Sequence, residues 1–186
     1  MALTLIKEDG TGRTDANSYA TAADGDAYHS GHLYATAWTG ATLSSKEAAL
    51  VMATRLIDMS YQFSGWKKAS TQALQWPREG AVDPDRRDVR LSILEGRNGP
   101  YFDNDSVPGA VMNATCEMAR EMLIADRTGA PAGEGIAKVA NSLTGDSTQY
   151  DKTDRRPIIS HAAQAMLRKL GNLLGARTGI ATLVRT

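Results

Sequence analysis

The stretch from Gln72 to Gly80 constrains the fold more than any other part of this 186-residue chain. Its central residues, Trp76-Pro77-Arg78, lie between two segments of helical periodicity and belong to neither. Proline fixes its own φ and pushes the preceding residue out of the helical region, so Trp76 is expected on an extended corner. Trp76 and Pro77 are therefore predicted to be structural. Arg78 is predicted either to be solvated, to pair with an acidic group, or to contact a partner, because arginine is common at interface hot spots.

Length, charge and cysteine content exclude several classes of protein. Residues 1–186 fit a single domain, which at this size buries roughly 70% of its unfolded surface. Lysine and arginine number 21, as do aspartate and glutamate, so no overall charge attracts nucleic acid or a membrane. The single Cys116 excludes an internal disulfide and fits a reducing compartment. The chain has no signal-peptide pattern and no run of 18 apolar residues, so we expect a soluble protein made in the cytoplasm.

Hydrophobic periodicity predicts a mainly α fold. A first helix is expected over residues 21–30, after a run of capping residues. A second is expected to begin at a capping box formed by Ser44 and Glu47 and to end at Gly65. These two segments account for the region before the Trp-Pro-Arg corner.

Two more helices are expected after the corner. One begins near Pro108, and its broad apolar stripe predicts a central helix contacted from more than one side. The other follows Pro157 and carries apolar residues at helical spacing as far as Leu174. About four helices are therefore expected in total.

The segments between the helices are long. Residues 65–105 are rich in turn residues, and so long an excursion in a compact domain is usually functional. Only Val89–Leu94 within it has the composition of a strand. Residues 3–6 are expected to form a strand or an extended arm, and residues 136–150 a hairpin or a flexible flap.

The region from 152 to 186 is locally basic, with seven lysines and arginines against one acidic residue. Its last segment, Ile180–Val184, is β-prone and has no evident place in a helical core. Addition to the sheet edge of a partner and simple disorder both remain open for this tail.

The residue patterns contain no catalytic, cofactor or metal site. His29 and His32 are three residues apart, but no cysteine or paired carboxylate nearby completes a zinc site. Residues 83–88 resemble the start of a calcium loop, yet two arginines interrupt them and the closing glutamate is missing. No phosphate-binding loop or activated nucleophile is present in the sequence. We therefore predict that the protein is not an enzyme and uses no cofactor.

A set of short motifs occurs in order between residues 8 and 150. The motifs are Glu8-Asp9-Gly10-Thr11-Gly12, Asp15-Ala16-Asn17-Ser18-Tyr19, Trp38-Thr39-Gly40, Lys46-Glu47-Ala48-Ala49-Leu50, Ala53-Thr54-Arg55-Leu56-Ile57-Asp58, Gln72-Ala73-Leu74-Gln75-Trp76-Pro77-Arg78, Val107-Pro108, Ala114-Thr115-Cys116-Glu117-Met118-Ala119 and Leu143-Thr144-Gly145-Asp146. This ordered set resembles the head-to-tail connector, or adaptor, proteins of tailed bacteriophages, including members labelled as primosomal, single-stranded-DNA-binding-like proteins.

This resemblance implies a small bundle of about four helices with a long loop excursion and a β-hairpin or extended arms. It also implies a dodecameric ring below the portal at the head-tail junction of the virion, where the ring extends the DNA channel and docks the next component. The implied partners are the portal protein, neighbouring copies, a tail or neck completion protein and passing double-stranded DNA, with no membrane. The chain departs from the family pattern over residues 84–98 and after Gly175, so which loop meets which partner stays open.

Basic side chains are the interface candidates. We expect the excursion and the hairpin to contact neighbours or the tail, and the C-terminal helix and tail to contact the portal or the channel wall. The candidates are Arg78, Arg86, Arg87, Arg90, Arg155, Arg156, Arg168, Lys169 and Arg177.

The alternative function is single-stranded-DNA binding of the primosomal type. Such a protein presents aromatic platforms in a basic groove, and its affinity falls with salt. The neutral net charge argues against tight binding. A patch with the required composition would need six side chains to meet: Trp38, Trp66, Trp76, Lys67, Lys68 and Arg78.

Overall fold

The computed structural model describes residues 3–85, 101–129, 138–140, 147–149 and 156–175. Within these ranges the predicted mainly α fold is confirmed, with five helices and three pairs of short antiparallel strands. In chain order the elements are α1 (Ala22–His29), α2 (Thr36–Thr39), α3 (Leu43–Ser60), β1 (Tyr61–Phe63), β2 (Trp66–Lys67), β3 (Arg78–Glu79), α4 (Gly109–Ile124), β4 (Lys138–Ala140), β5 (Ser147–Gln149), α5 (His161–Leu167) and β6 (Gly171–Leu173).

Helix α4 lies at the centre of the fold. It packs against α3 and α5 and also contacts α1 and α2, which confirms the helix predicted from the broad apolar stripe. Val111, Ala114 and Met118 on α4 are fully buried and belong to a hydrophobic cluster that includes residues from Ala16 to Leu170. Each large apolar side chain of this kind stabilises the fold by about 1.5–3 kcal/mol relative to exposure.

Both predicted ends of helix α3 need correction. The Ser44–Glu47 capping box was wrong, because Thr42 is the N-cap and its side chain accepts a hydrogen bond from the Ser45 amide at 3.2 Å. The extended backbone of Thr42 presents its hydroxyl to that otherwise unpaired amide. The helix also ends at Ser60 and not at Gly65. The next three residues leave the helix because they pair as strand β1.

The pairing of β1 with β6 also corrects the last predicted helix. Helix α5 ends at Leu167, and the chain then turns into β6, where Leu173 pairs with Tyr61. Gly171 makes this pairing possible, because a Cβ at that position would lie 2.5 Å from the carbonyl oxygen of Gln62. The apolar residues beyond Leu167 therefore belong to a turn and a strand and not to a helix. The close approach of the Gln62 backbone to Gly171 favours strand pairing over continuation of the helix.

The long excursion starts and ends on the core. Strands β2 and β3 pair with each other, and the amide of Phe102 donates to the carbonyl of Ala81 at 2.9 Å. Residues 86–100, which include the candidate strand Val89–Leu94, lie outside the described residues. The hairpin predicted over 136–150 is confirmed, since β4 and β5 pair in antiparallel register.

No helix in the described ranges is both long enough and apolar enough to cross a lipid bilayer.

Candidate interaction surfaces

The corner, which we define as residues 72–80, is organised by the buried side chain of Gln72. Its amide oxygen accepts from the Ala69 backbone amide at 2.9 Å. Its amide nitrogen donates to the carbonyl oxygens of Leu74 at 2.8 Å and Pro77 at 3.1 Å. One glutamine side chain therefore satisfies three backbone groups of residues 69–77, a stretch that forms no helix or strand.

Two side chains from earlier in the sequence hold the corner against the helices. The Tyr19 hydroxyl donates to the Asp58 carboxylate at 2.6 Å and accepts from the backbone amides of Gln75 and Trp76, both at 3.1 Å. The other carboxylate oxygen of Asp58 accepts from the Gln75 amide at 3.0 Å. Burial raises the pKa of Asp58 to about 6, despite these hydrogen bonds. The corner is thus attached to α3 through a buried carboxyl group.

Trp76 lies in the core, as predicted. It is fully buried, and its ring makes edge-to-face contacts with Phe63 and Phe102 at centroid distances of 5.7 and 5.8 Å. Its Nε1 has no hydrogen-bond partner among the described residues. Aromatic pairs of this geometry contribute about 0.5–1.5 kcal/mol each beyond their buried area. Pro77 follows through a cis peptide bond and is also fully buried.

Arg78 has a structural position inside its own chain. Only 8% of the residue is exposed. Its guanidinium donates to the backbone carbonyls of Ser64 at 2.7 Å and Gly65 at 2.6 Å, and to both the backbone and side-chain oxygens of Gln75. The three expectations for Arg78 were solvent, an acidic partner and a neighbouring protein. The structure instead uses its planar fork of donors to tie β1 and β2 to the corner.

The glycine-rich turn near the N-terminus is organised by Glu8, which is 1% exposed. Its carboxylate accepts from the backbone amides of Gly10, Gly12 and Arg13 at 2.9 to 3.0 Å. Gly10 has a φ of 96°, a conformation that favours glycine. The preceding residues form the extended arm that was expected. This turn is therefore a structural element filled by its own carboxylate, which leaves no empty anion site.

The three tryptophans do not form one aromatic surface. Trp38 and Trp76 are fully buried, whereas 63% of Trp66 is exposed. Trp38 donates from Nε1 to Asp26 at 2.8 Å, so its polar edge is satisfied within the fold. The six-residue patch considered for single-stranded DNA is therefore not assembled, because two of its rings and Arg78 are in the interior.

Three of the six side chains of that patch are not buried, namely those of Trp66, Lys67 and Lys68. The indole Nε1 of Trp66 donates to the Glu79 carboxylate at 3.1 Å. Lys67 and Lys68 donate to the backbone carbonyls of Gln72 and Gly10 at 3.4 and 3.1 Å. This surface therefore offers one exposed ring, a carboxylate hydrogen-bonded to it, and two lysines that are adjacent in sequence but donate to carbonyls elsewhere.

The two histidines have different surroundings. Within the described ranges, no group of three potential metal-ligating side chains is assembled. His29 is buried and donates from Nε2 to the Cys116 carbonyl at 3.1 Å, and burial lowers its pKa. His32 lies at the surface, with Nε2 3.8 Å from the Glu117 carboxylate. Both rings therefore serve the packing of the α1–α2 connection against α4.

The basic interface candidates are dispersed. Arg156 and Arg168 are exposed, and Lys169 forms an exposed ion pair with Asp85 at 2.7 Å. Arg156 donates to the Asp126 carbonyl at 3.0 Å. Of the candidates in the described ranges, these three are exposed and Arg78 is buried. The remaining candidates lie outside the described residues, and they are Arg86, Arg87, Arg90, Arg155 and Arg177.

The turn between α1 and α2 presents an apolar surface that the sequence patterns did not indicate. Leu33 is 91% exposed and Tyr34, next to it, is 77% exposed. The turn has a defined shape, because the Tyr34 amide donates to Nδ1 of His32 at 3.0 Å and the His32 amide donates to the His29 carbonyl at 3.0 Å. Two adjacent large apolar side chains held outward in this way are typical of a protein contact.

A second apolar surface lies along α3 and encloses about 460 Å³. Met52 and Met59, which are 37% and 69% exposed, are its most accessible apolar side chains on the helix. Both recur at helical spacing in the sequence of α3, but spacing alone does not show that the core leaves them uncovered. We call this surface the α3 groove, and its lining is Leu3, Ala48, Val51, Met52, Arg55, Leu56, Met59 and Thr128.

The comparisons with known proteins identify one family. A family model described as "Putative DnaT-like ssDNA binding protein" matches residues 3–186. No curated protein matches the chain, and no solved structure does. The family description contains the single-stranded-DNA-binding label and makes no reference to a head-to-tail connector. The connector part of the resemblance therefore stays a prediction.

Proposed function

We propose that this chain, which belongs to the DnaT-like ssDNA-binding protein family, is a structural head-to-tail adaptor of a tailed-phage virion. In this role it joins the portal, neighbouring copies of itself and a tail or neck completion protein around the channel through which double-stranded DNA passes. The observation that carries the proposal is the exposed apolar pair Leu33 and Tyr34. The ordered sequence motifs that resemble connector proteins support it as well.

The contact that we assign to Leu33 and Tyr34 follows from ring geometry. In a ring each subunit uses two different faces, so a projecting apolar turn on one copy meets another surface of the next copy or of the portal. Hydrogen bonds fix the backbone of the turn that carries the pair, so the cost of ordering that backbone does not have to be met on binding. Tyrosine is one of the residue types that are enriched among the few side chains that dominate the binding energy of an interface.

Two measurements test the adaptor role. Mass spectrometry of purified virions should detect the chain, and its absence from virions would exclude the role. Mixing the protein with its portal should give a ring visible by electron microscopy, which Leu33→Asp should abolish. Leu43→Asp is the matched control, because Leu43 is also exposed, at 63%, but lies at the start of α3 where an acidic side chain is favourable.

Single-stranded-DNA binding is the second candidate, and the family description favours it over the adaptor role. The exposed ring of Trp66, which two lysines follow in the sequence, supports this candidate. Stacking of one base on such a ring is worth about 1–3 kcal/mol. The buried positions of Trp38 and Trp76 argue against a longer stacking platform.

A fluorescence titration separates the two candidates. Trp38 and Trp76 are buried, so quenching by an added oligonucleotide reports on Trp66. If the chain binds single-stranded DNA, micromolar or tighter binding should weaken as salt rises, and Trp66→Ala should remove it. If titration at low salt gives no quenching while the portal ring forms, the adaptor role is favoured.

A further inference from the structure

We propose that the C-terminal tail, residues 176–186, lies in the α3 groove of its own chain. The proposal is independent of whether the protein is an adaptor or a DNA-binding protein. It depends on the place where the described chain ends, on the length of the tail and on the apolar character of both surfaces.

The described chain ends at one end of the groove. Strand β6 pairs with β1, and the amide of Leu174 donates to the carbonyl oxygen of Ser60 at 2.7 Å. Ser60 is the last residue of α3, and the neighbouring Met59 lines the groove. The tail therefore leaves Gly175 beside the groove and needs no connecting segment to enter it.

The tail is long enough to follow the whole groove. The lining residues on α3 run from Met59 back to Ala48, which at the helical rise of 1.5 Å per residue spans about 17 Å. Residues 176–186 reach about 36 Å when extended, at roughly 3.3 Å per residue. The tail can thus pass every lining residue of the helix.

The composition of the tail fits the groove better than that of the other segment near it. Ile180, Leu183 and Val184 supply three large aliphatic side chains. The segment 130–137, which follows Thr128 at the groove wall, contains only Ile136 as a large aliphatic residue. Burial of apolar area is the main stabilising contribution to such a contact.

The charges indicate an apolar contact and not an ionic one. Arg55 is the charged residue in the lining, and the tail contains arginines but no acidic residue. Salt should therefore not weaken the contact. A tail in this position removes the exposed Met52 and Met59 from water, which lowers the tendency of the free protein to associate.

Disulfide trapping tests the proposal in the full chain. The test variant carries Leu183→Cys with Met52→Cys, and the control carries Leu183→Cys with Gln62→Cys. Gln62 is exposed and is not in the groove lining, and it is two residues from Ser60, to which Leu174 is hydrogen-bonded, whereas Met52 is eight residues from Ser60, so an undocked tail has no reason to prefer Met52. The natural Cys116 does not interfere, because burial raises its pKa to about 12.

If the tail were not docked, the Gln62 pair should form its disulfide at least as fast as the Met52 pair. If the tail is docked, the Met52 pair should form first. We expect the Met52 pair to form an intramolecular disulfide at least about tenfold faster than the Gln62 pair, because docking raises the effective concentration at the groove. Equal rates, or a faster Gln62 pair, would overturn the proposal. A disulfide that links two chains on a non-reducing gel would also overturn it and would assign the groove to the tail of a second copy. Circular dichroism of each variant establishes that it is folded.

Discussion

The corner and the α1–α2 turn use their side chains in opposite ways. At the corner Trp76 and Arg78, residue types that are common in binding hot spots, are buried and bonded within their own chain. At the α1–α2 turn Leu33 and Tyr34 project into solvent. The corner therefore stabilises the fold, while the turn offers contact surface. Residue type alone does not distinguish these roles, because burial decides whether a side chain is available to a partner.

The largest effect is expected at the centre of the corner. Trp76→Ala should lower the free energy of unfolding by about 3–5 kcal/mol, because it leaves a large cavity between Phe63 and Phe102. Urea unfolding followed by circular dichroism gives this value. Trp66→Ala, at an exposed ring, is the matched control and should change it by less than about 0.5 kcal/mol.

Two outcomes would contradict this account of the corner. A stable Trp76→Ala protein would mean that the ring is not part of the core. A large loss of unfolding free energy for Trp66→Ala would mean that the Trp66 ring, although exposed, stabilises the fold through the β2–β3 pair. Trp76→Phe should cost less than Trp76→Ala, because phenylalanine retains the ring contacts and lacks the unpartnered Nε1.

A smaller effect is expected from Arg78→Lys. Lysine keeps the positive charge but cannot reach the Ser64, Gly65 and Gln75 carbonyls together, because it lacks the planar fork. Loss of the hydrogen bonds that this largely buried guanidinium donates should cost about 1–3 kcal/mol of unfolding free energy, which chemical denaturation would measure. Arg55→Lys is the control at an exposed site and should be neutral. Equal stability of the Arg78 and Arg55 variants would show that Arg78 does not anchor the corner.

Asp58 should make the stability of the corner depend on pH. Its pKa in the folded protein is about 6, raised by burial above the ordinary 3.8. The folded state therefore binds the proton more tightly, so the stabilising contribution is complete below about 3.8 and is lost as pH rises through 6. Between pH 7 and pH 5 the gain is about 1 kcal/mol.

Asp58→Asn isolates this contribution from all other titrations. The free energy of unfolding of the natural protein and of Asp58→Asn is measured at pH 5 and at pH 7. The stability difference between the two proteins should change by about 1 kcal/mol from one pH to the other, because asparagine does not titrate. A difference that is the same at both pH values would show that Asp58 has an ordinary pKa in the folded protein. The result bears on the attachment of the corner to α3, where Asp58 accepts from Gln75.

Local patterns were enough to predict four of the five helices in the described ranges and the central position of α4, but not α2, and they left a hairpin and a flap open for residues 136–150. They failed where one residue decides between two structures through contacts distant in sequence. Gly171 favours pairing with β1 because its missing Cβ admits the backbone of Gln62. Thr42 displaces the predicted capping box because its backbone is already extended. Neither the contact made at Gly171 nor the backbone conformation of Thr42 can be predicted from the residues next to it in the sequence.

The surfaces were harder to predict than the fold. Arg78 and the three tryptophans are candidates for an interaction surface by residue type, but three of these four side chains are buried. The α1–α2 turn has no periodicity, so nothing in the sequence indicates whether Leu33 points inward. In the α3 groove Met59 fits the helical stripe by spacing, yet the core is too narrow to cover it. Exposure depends on which elements pack together, and that is a property of the whole fold.

The smallest effect on stability is expected at the α1–α2 turn, and it completes the comparison with the corner. Tyr34→Ala should change the unfolding free energy by less than about 0.5 kcal/mol, because 77% of Tyr34 is already exposed. Tyr19→Phe is the buried counterpart and should cost about 1–3 kcal/mol, since it leaves the Trp76 amide without its acceptor. Urea unfolding measures both variants. If Tyr34→Ala were as destabilising as Tyr19→Phe, the turn would belong to the folded core and could not be a free contact surface.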